Sequence, residues 1–156
     1  MVYKILKGHH RAGWFFDVTT KNKLSGTIKF LGDVSYFIDL QKDTNKLIGL
    51  SDNWHHHKDS CRLGWRWNVV SKSVEIMTIT YVKGKRTIKH LCFADDNEDY
   101  SYEIIINKNS YIYRFDTTIS IVPRRSKWKW FRYICQPFFG GKTKSPKNIY
   151  IKITRE

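Results

Sequence analysis

Hydrophobic and polar residues alternate with a period of two along most of the chain. The clearest run covers residues 74–82, where Val74 and Ile76 share one face and Glu75 and Met77 share the other. This alternation is typical of strands that bury one face. No stretch of about eleven residues holds a helical period, so we expect helices to be minor.

Turn signals divide the chain into about ten short strands. Gly32-Asp33 and Lys83-Gly84 are two of the turns. Residues 53–60 are predicted to form one short helical turn. The predicted strands are 26–31, 34–40, 46–50, 62–67, 74–82, 86–93, 100–106, 111–115, 118–122, 128–139 and 149–154. Short strands that recur about every 8–12 residues are typical of a β-sandwich or a barrel.

Length and composition fit one domain. The chain has 156 residues, of which 41% are hydrophobic and 27% charged, so it can bury a core of ordinary size. The aromatic share is high, at 15%, which favours pleated, half-buried surfaces. No linker, repeat or low-complexity tract divides the chain. We therefore predict a single all-β domain, an antiparallel sandwich, over residues 1–156.

The charge is strongly positive and unevenly distributed. The net charge is +14, and residues 121–156 carry ten basic side chains against one acidic side chain, Glu156. This excess favours a polyanionic partner, which could be nucleic acid, an acidic glycan or an acidic protein face. The alternative is a solvated basic surface that serves solubility in a lysine-rich proteome.

Cysteine use and the chain start indicate the compartment. Cys61, Cys92 and Cys135 lie far apart with no CxxC pair, which argues against a disulfide framework and a zinc knuckle. The first residues lack the apolar stretch of a signal peptide. No apolar run approaches the ~18 residues of a membrane span. We expect a soluble cytoplasmic protein with no metal and no other cofactor.

Basic and aromatic residues interleave late in the chain. Phosphates can meet such cations while bases stack on the rings, as in proteins that bind single-stranded nucleic acid. The alternative is a half-buried strand whose lysines protect an edge from pairing with other chains. The predicted polyanion-binding residues are Arg124, Arg125, Lys127, Lys129, Trp130, Arg132, Lys142, Lys144 and Lys147.

A second candidate patch combines imidazoles, guanidiniums and an indole. On a strand, at most two of three consecutive histidines converge, so metal binding is disfavoured against loop histidines that form hydrogen bonds. The guanidiniums could clamp a phosphate or a carboxylate. Alternatively, the indole is core and the guanidiniums are solvated or paired with Asp52 or Asp59. The residues of this patch are His55, His56, His57, Arg62, Arg66 and Trp65.

Several segments resemble, in the same order, a family of small uncharacterised bacterial proteins. The family pattern reads KLxGFS, HHxxSxRxGWRW, YVNGxR and YFGG…APHDI, and the matching segments here are 46–51, 55–67, 81–86 and 137–149. The resemblance covers about two-thirds of the chain and implies a jelly-roll or concanavalin-like sandwich, with no settled activity. Where the family carries a His-Asp pair this chain has Lys147-Asn148, which favours binding over catalysis.

No catalytic motif is readable, and residues 140–144 lack the glycine spacing and the helix of a phosphate loop. The favoured hypothesis is a non-enzymatic protein whose basic aromatic face docks on nucleic acid or a nucleic-acid-handling protein. A phage-type inhibitor of an RNA-guided nuclease would have these features. The second hypothesis is a carbohydrate-active sandwich that binds or cleaves an acidic polysaccharide, with a site drawn from His56, Arg62, Trp65, Arg66 and Tyr133. The third is a structural or assembly protein.

Overall fold

The computed structural model describes residues 1–13, 17–38, 44–52, 54–127 and 130–156. These residues form twelve strands and no helix. The strands are β1 (Val2–Ile5), β2 (Val18–Thr19), β3 (Lys23–Leu31), β4 (Asn45–Ser51), β5 (Ser60–Asn68), β6 (Ser73–Val82), β7 (Lys85–Ala94), β8 (Tyr100–Ile106), β9 (Ser110–Phe115), β10 (Thr118–Pro123), β11 (Arg132–Cys135) and β12 (Ile149–Ile153).

The strands pair into two six-stranded antiparallel sheets. Sheet I has the order β1-β12-β3-β8-β9-β10, and sheet II has the order β2-β11-β4-β5-β6-β7. The hydrophobic cluster draws its side chains from both sheets, so they stack as a sandwich of the jelly-roll type. The prediction of an all-β antiparallel sandwich is confirmed.

The core is dominated by aromatic rings that meet around Trp65. This indole is fully buried. Its ring centroid lies 5.1 Å from that of Phe30, 5.9 Å from that of Tyr36 and 6.2 Å from that of Phe139. Trp65 therefore belongs to the core, and its predicted place in a binding patch is wrong because no ligand can reach the ring.

One predicted strand is instead an unpaired segment that fills the core. The described part of the 34–40 prediction, residues 34–38, forms no strand, and residues 39 and 40 lie outside the described residues. Val34 and Tyr36 are buried. The Tyr36 hydroxyl accepts hydrogen bonds from Asn45 Nδ2 at 2.8 Å and from the Trp67 amide at 3.3 Å. The alternation of residues 34–38 thus comes from a segment that inserts into the core. Such a segment has the same alternating pattern as a paired strand, so the sequence alone does not distinguish the two.

The other differences concern the two loops that flank sheet II. Of the described part of the strand predicted over 128–139, Arg132–Cys135 pairs within the sheet, and residues 128 and 129 lie outside the described residues. Beyond it the chain turns away, and Phe138 forms isolated bridges to Arg11 and Lys46. In the predicted helical turn 53–60, the Lys58 amide donates to the His55 carbonyl at 2.8 Å, and residue 53 lies outside the described residues.

Cys61, Cys92 and Cys135 are free, and burial raises the pKa of all three thiols. Across the described ranges, no helix is long and apolar enough to cross a membrane.

Candidate functional site: a cationic cleft on sheet II

Sheet II presents one face to the core and the other outward. Along β5, Cys61 and Leu63 are fully buried in the core cluster. Arg62, between them, points the other way, because successive side chains alternate across a strand. On β11, Ile134 faces the core and Tyr133 lies on the same outward side as Arg62. The outward face of β4, β5 and β11 therefore forms the base of a cleft.

This cleft, hereafter the cationic cleft, has a volume of about 430 Å³. The three strands supply its base, and the walls come from the N-terminal segment, the β4–β5 loop and the segment that follows β11. The lining residues are Arg11, Gly13, Lys46, His56, His57, Arg62, Tyr133, Cys135, Gln136, Pro137, Phe138 and Gly141. The volume suits a small ligand or a short stretch of a polymer.

The electrostatics of the cleft are one-sided. Of the described residues that line it, Arg11, Lys46 and Arg62 are cationic and none is acidic. Like charges gathered between low-dielectric walls focus a positive potential. The cleft therefore has a positive potential, which favours an anionic group.

Arg62 is the most buried of these cations. It is only 5% exposed, and its Nη2 donates to the His56 carbonyl at 3.0 Å. The guanidinium lies over the Tyr81 ring, 5.7 Å from the centroid. Its buried Nε has no hydrogen-bond partner, and no carboxylate of the described chain forms an ion pair with it. A buried cation without a counter-charge is costly, so this geometry favours an anion supplied by a ligand.

A glycine makes room for the Arg62 side chain. Gly49 lies directly opposite Arg62 in the β4–β5 ladder. A Cβ atom there would lie 2.6 Å from Arg62 Cγ and 2.3 Å from the Cys61 carbonyl oxygen. The absence of a side chain at Gly49 thus lets Arg62 lie close across β4.

A β-bulge brings Lys46 to the cleft. The register between β4 and β5 shifts between Lys46 and Ile48, so that Leu47 and Ile48 are both buried although they are consecutive. Bulges of this kind redirect side chains next to functional sites. The Lys46 ammonium donates to the Gly140 carbonyl and lies 5.4 Å from the centre of the Phe138 ring.

Phe138 forms an apolar wall that is held by cations and an imidazole. The His10 ring stacks on it at a centroid distance of 5.1 Å, and the Arg11 guanidinium lies 5.6 Å from its centroid. His10 Nδ1 is in turn 2.8 Å from the Phe139 carbonyl, to which it donates. These contacts tie the N-terminal segment to the segment after β11, which fixes the position of Arg11.

Two neighbouring imidazoles are held neutral in the cleft. Burial, and then the positive charges of Arg62, His57, Lys46 and Arg11, lower the pKa of His56 to about 4. Burial and nearby cations also lower the pKa of His57. Both imidazoles are therefore uncharged near pH 7, and each offers one N–H donor and one nitrogen acceptor for hydrogen bonds.

Tyr133 and Gln136 complete the polar lining. Tyr133 is half-buried and pairs with Ser51 across β11 and β4. The Gln136 amide has a buried oxygen with no hydrogen-bond partner. A phenol and an amide supply hydroxyl, N–H and carbonyl groups that can bind a polar ligand. Cys135 also lines the cleft, but burial raises the pKa of its thiol, so it is not a thiolate at neutral pH.

The second patch of the sequence analysis is thus brought together only in part. His56, His57 and Arg62 meet in the cleft. Arg66 does not line it. Its Nε donates to Glu75 Oε2 at 2.6 Å, and His90 contacts the other oxygen of that carboxylate at 3.0 Å. The pairing of Arg66 with Asp52 or Asp59, considered from the sequence, is therefore replaced by a pairing with Glu75.

The remaining histidine of the second patch lies outside the cleft. His55 is exposed and does not line the cleft. Within the described ranges, no group of three or more His, Cys, Asp or Glu residues is placed to hold a metal ion.

The predicted polyanion-binding patch divides into buried and exposed residues. Arg124 Nε donates to Asp52 Oδ2 at 2.8 Å, and Arg132 Nε lies 3.4 Å from Asp52 Oδ1. The side chains of Arg124, Arg132 and Asp52 are 1%, 0% and 0% exposed. The prediction that these two arginines contact a polyanion is wrong, because both are buried and form ion pairs with Asp52 in the interior.

The rest of that patch lies mostly at the surface. Lys147 donates to Asp33 Oδ2 at 2.7 Å. Lys129 lies outside the described residues. The remaining members are exposed: Arg125, Lys127, Trp130, Lys142 and Lys144.

Among the cleft residues that were not proposed as site residues from the sequence, four carry a cationic, amide or aromatic side chain: Arg11, Lys46, Gln136 and Phe138. Lys46 belongs to segment 46–51, and Gln136 and Phe138 belong to segment 136–141. The family resemblance covers all of the first segment and residues 137–141 of the second. The family resemblance was thus the sequence feature that pointed to these segments. No charge run or residue spacing indicated that they contribute to a binding site. Arg11 carried no signal, because its contact with Phe138 joins opposite ends of the chain.

The histidines of the cleft give a first prediction, for stability in mild acid. The His56 pKa is about 4 in the folded protein against 6.5 for an unperturbed histidine, so the unfolded chain binds the proton first. The free energy of unfolding that neutral His56 contributes is complete above pH 6.5 and is lost as pH falls to about 4. His57 acts in the same direction. Urea unfolding at a series of pH values should show His56→Gln losing less stability than the wild type over this range.

The control for this prediction is His55→Gln, which changes the neighbouring exposed imidazole outside the cleft. It should keep the wild-type dependence of stability on pH. An unchanged pH dependence in His56→Gln would contradict the prediction.

Fold and site together define a jelly-roll-type β-sandwich with a cationic cleft on one sheet. No family model and no curated protein matches the chain. Among solved structures, it is similar to the alginate lyase AlyC3, with a TM-score of 0.68 and 11% identity over 99% of this chain and 74% of that one.

Two further solved structures share the fold. One is an alginate lyase from Klebsiella pneumoniae, with a TM-score of 0.58 and 10% identity over 86% of this chain and 59% of that one. The other is a protein of unknown function from Saccharomyces cerevisiae, with a TM-score of 0.57 and 8% identity over 92% of this chain and 74% of that one. At these identities the likeness establishes the fold alone.

Proposed function

We propose that this protein binds an acidic polysaccharide in the cationic cleft, with the carboxylate of a uronate residue held by Arg62. The observation that carries the proposal is the convergence of Arg11, Lys46 and Arg62 in a cleft whose described lining contains no carboxylate. A guanidinium binds a carboxylate through charge-assisted hydrogen bonds, which are stronger than neutral ones. Arg62 offers its buried Nε, which has no hydrogen-bond partner among the described residues.

The other lining groups fit a sugar better than a bare phosphate. Tyr133 and Gln136 carry hydroxyl and amide groups that can bind the hydroxyls of a pyranose, and Phe138 offers an apolar surface to its C–H groups. The shared fold with two alginate lyases supports a glycan ligand. The nucleic-acid hypothesis is weakened, because Arg124 and Arg132 are bound to Asp52 inside the protein.

A second candidate function is cleavage of that polysaccharide by β-elimination. The observation that favours it is that neutral His56 and Tyr133 line the same cleft as Arg62. One of the pair removes the proton on the carbon next to the carboxylate, and the electrons form a C4–C5 double bond as the C4–O bond breaks. The other donates a proton to the departing oxygen. Arg62 stabilises the negative charge that builds on the carboxylate.

The binding proposal is tested by calorimetric titration against alginate, polygalacturonate, a neutral glucan and single-stranded RNA, at low and high salt. We expect binding to at least one uronate polymer, weaker binding at high salt and none to the neutral glucan. Preferential binding to RNA, or no uronate binding, would overturn the proposal in favour of the other hypotheses.

The elimination proposal has its own readout, the ultraviolet absorbance of the unsaturated product. We expect the absorbance to rise with the same polymer that binds, and a Tyr133→Phe variant to bind it without generating product. Tight binding with no product from any uronate polymer would leave the protein a binding module and refute the elimination step.

A further inference from the structure

Two exposed aromatic side chains contact each other in segments that also supply the cationic cleft, and a third exposed ring is adjacent in the chain. Trp54 is 60% exposed, Trp130 is 90% exposed and Phe131 is 49% exposed. The Trp54 and Phe131 rings are in contact, with centroids 5.5 Å apart and planes at 60°. Trp130 precedes Phe131 in the chain. We refer to these three residues as the aromatic cluster.

The chain connects this cluster directly to the cleft. Trp54 lies in the β4–β5 loop that also carries His56. Phe131 is two positions before Tyr133, so the two rings lie on the same side of an extended chain. Arg132, between them, points into the interior towards Asp52. The burial of Arg132 thus directs Phe131 outward, next to the cleft.

Exposed aromatic rings in contact with each other mark a surface that binds a partner. Indole and phenyl faces stack on flat, C–H-rich or π-rich ligands with little loss of side-chain entropy, because these side chains have only two rotatable bonds. A pyranose ring presents such a C–H face. We expect a chain whose carboxylate is held by Arg62 to extend onto this surface, because the β4–β5 loop carries both Trp54 and His56, and Phe131 directly precedes β11, which supplies Tyr133.

We propose that the aromatic cluster is a subsite for sugar rings that lie beyond the uronate bound in the cationic cleft. This inference rests on the proposed function and adds a length requirement to it. A short oligouronate reaches only the cleft, whereas a longer one also covers Trp54 and Phe131. Specificity for polymer over monomer then comes from stacking, while specificity for charge comes from Arg62.

The test compares the affinities of the purified protein for oligouronates, from the disaccharide to the hexasaccharide, with those of Trp54→Ala and Phe131→Ala. The wild type should bind more tightly as the oligomer lengthens. Each variant should lose roughly tenfold in affinity for the hexasaccharide and bind the disaccharide as the wild type does. Because both side chains are exposed, we expect the unfolding temperatures to be unchanged.

The matched control is Phe93→Ala. Phe93 is 49% exposed, as Phe131 is, but lies on β7 at the other edge of sheet II. It should keep the wild-type dependence on length. If Trp54→Ala and Phe131→Ala bind the hexasaccharide as the wild type does, the subsite is refuted while the cleft proposal stands. If the wild type binds no oligouronate of any length, the proposed function fails and the subsite with it.

Discussion

Replacing Asp52 by Ala lowers the free energy of unfolding by an expected 3–5 kcal/mol, roughly the cost of breaking a buried ion pair from one side. Asp52 Oδ2 accepts from Arg124 Nε at 2.8 Å and from the Tyr111 hydroxyl at 2.9 Å, and Oδ1 lies 3.4 Å from Arg132 Nε. Without the carboxylate, two interior guanidiniums lose their counter-charge. Urea unfolding with an unchanged m-value measures the loss.

The control for Asp52 is an ion pair at the surface. The Asp33 side chain is 67% exposed and pairs with Lys147 at 2.7 Å. Because solvent screens this pair, Asp33→Ala should cost less than about 1 kcal/mol. Replacing Asp52, Arg124 and Arg132 together by apolar residues of similar size should recover most of the loss, since no buried charge then remains. If Asp52→Ala costs no more than Asp33→Ala, the buried cluster does not stabilise the fold.

Replacing Arg62 by Met reduces affinity for the acidic polysaccharide by an expected 10- to 150-fold, or about 1.5–3 kcal/mol, the range for hydrogen bonds to charged groups. Stability should not fall in parallel. Among the described residues, the Arg62 side chain donates to the His56 carbonyl and lies over the Tyr81 ring, and its Nε has no hydrogen-bond partner. A methionine of similar length fills the same space without a buried charge, so the unfolding midpoint should stay level or rise.

Arg66→Met is the matched control for Arg62, with the same substitution on the same strand and face. Arg66 pairs with Glu75 and does not line the cleft, so its loss should leave affinity within about twofold of the wild type. Equal losses in the two variants would mean that the ligand responds to overall charge rather than to the cleft. A loss of stability with Arg62→Met would make Arg62 a structural residue.

Asp52→Ala should destabilise the fold and Arg62→Met should not, because the two charged side chains differ in the ion-pair partners that the protein gives them. Asp52 is surrounded by its partners, so its removal damages the fold. Arg62 is buried without a counter-charge among the described residues, so the fold gains little from it and a ligand can gain much. Functional sites often carry such a local cost to stability. The neutral state of His56 has the same origin, since burial and then the charge of Arg62 lower its pKa.

The sequence by itself determined the all-β class, most strand positions and the placement of Trp65 within an alternating strand, because side-chain direction on a strand depends only on local periodicity. It also placed His56, His57 and Arg62 in one short segment, where the turn before β5 keeps them close. The lysine-rich C-terminal third was equally visible in the sequence. Its arginines nevertheless divide between interior and surface, which composition does not reveal.

Only the tertiary structure decided which charged side chains are paired inside the protein and which line the cleft. Arg124 meets Asp52 across 72 positions of sequence, Arg132 reaches the same carboxylate from further along the chain, and no local pattern encodes either contact. Arg11 and Lys46 reach the cleft through a contact with Phe138 and a bulge in β4. These contacts join residues that are distant in sequence, so they form only when the chain folds and the two sheets pack.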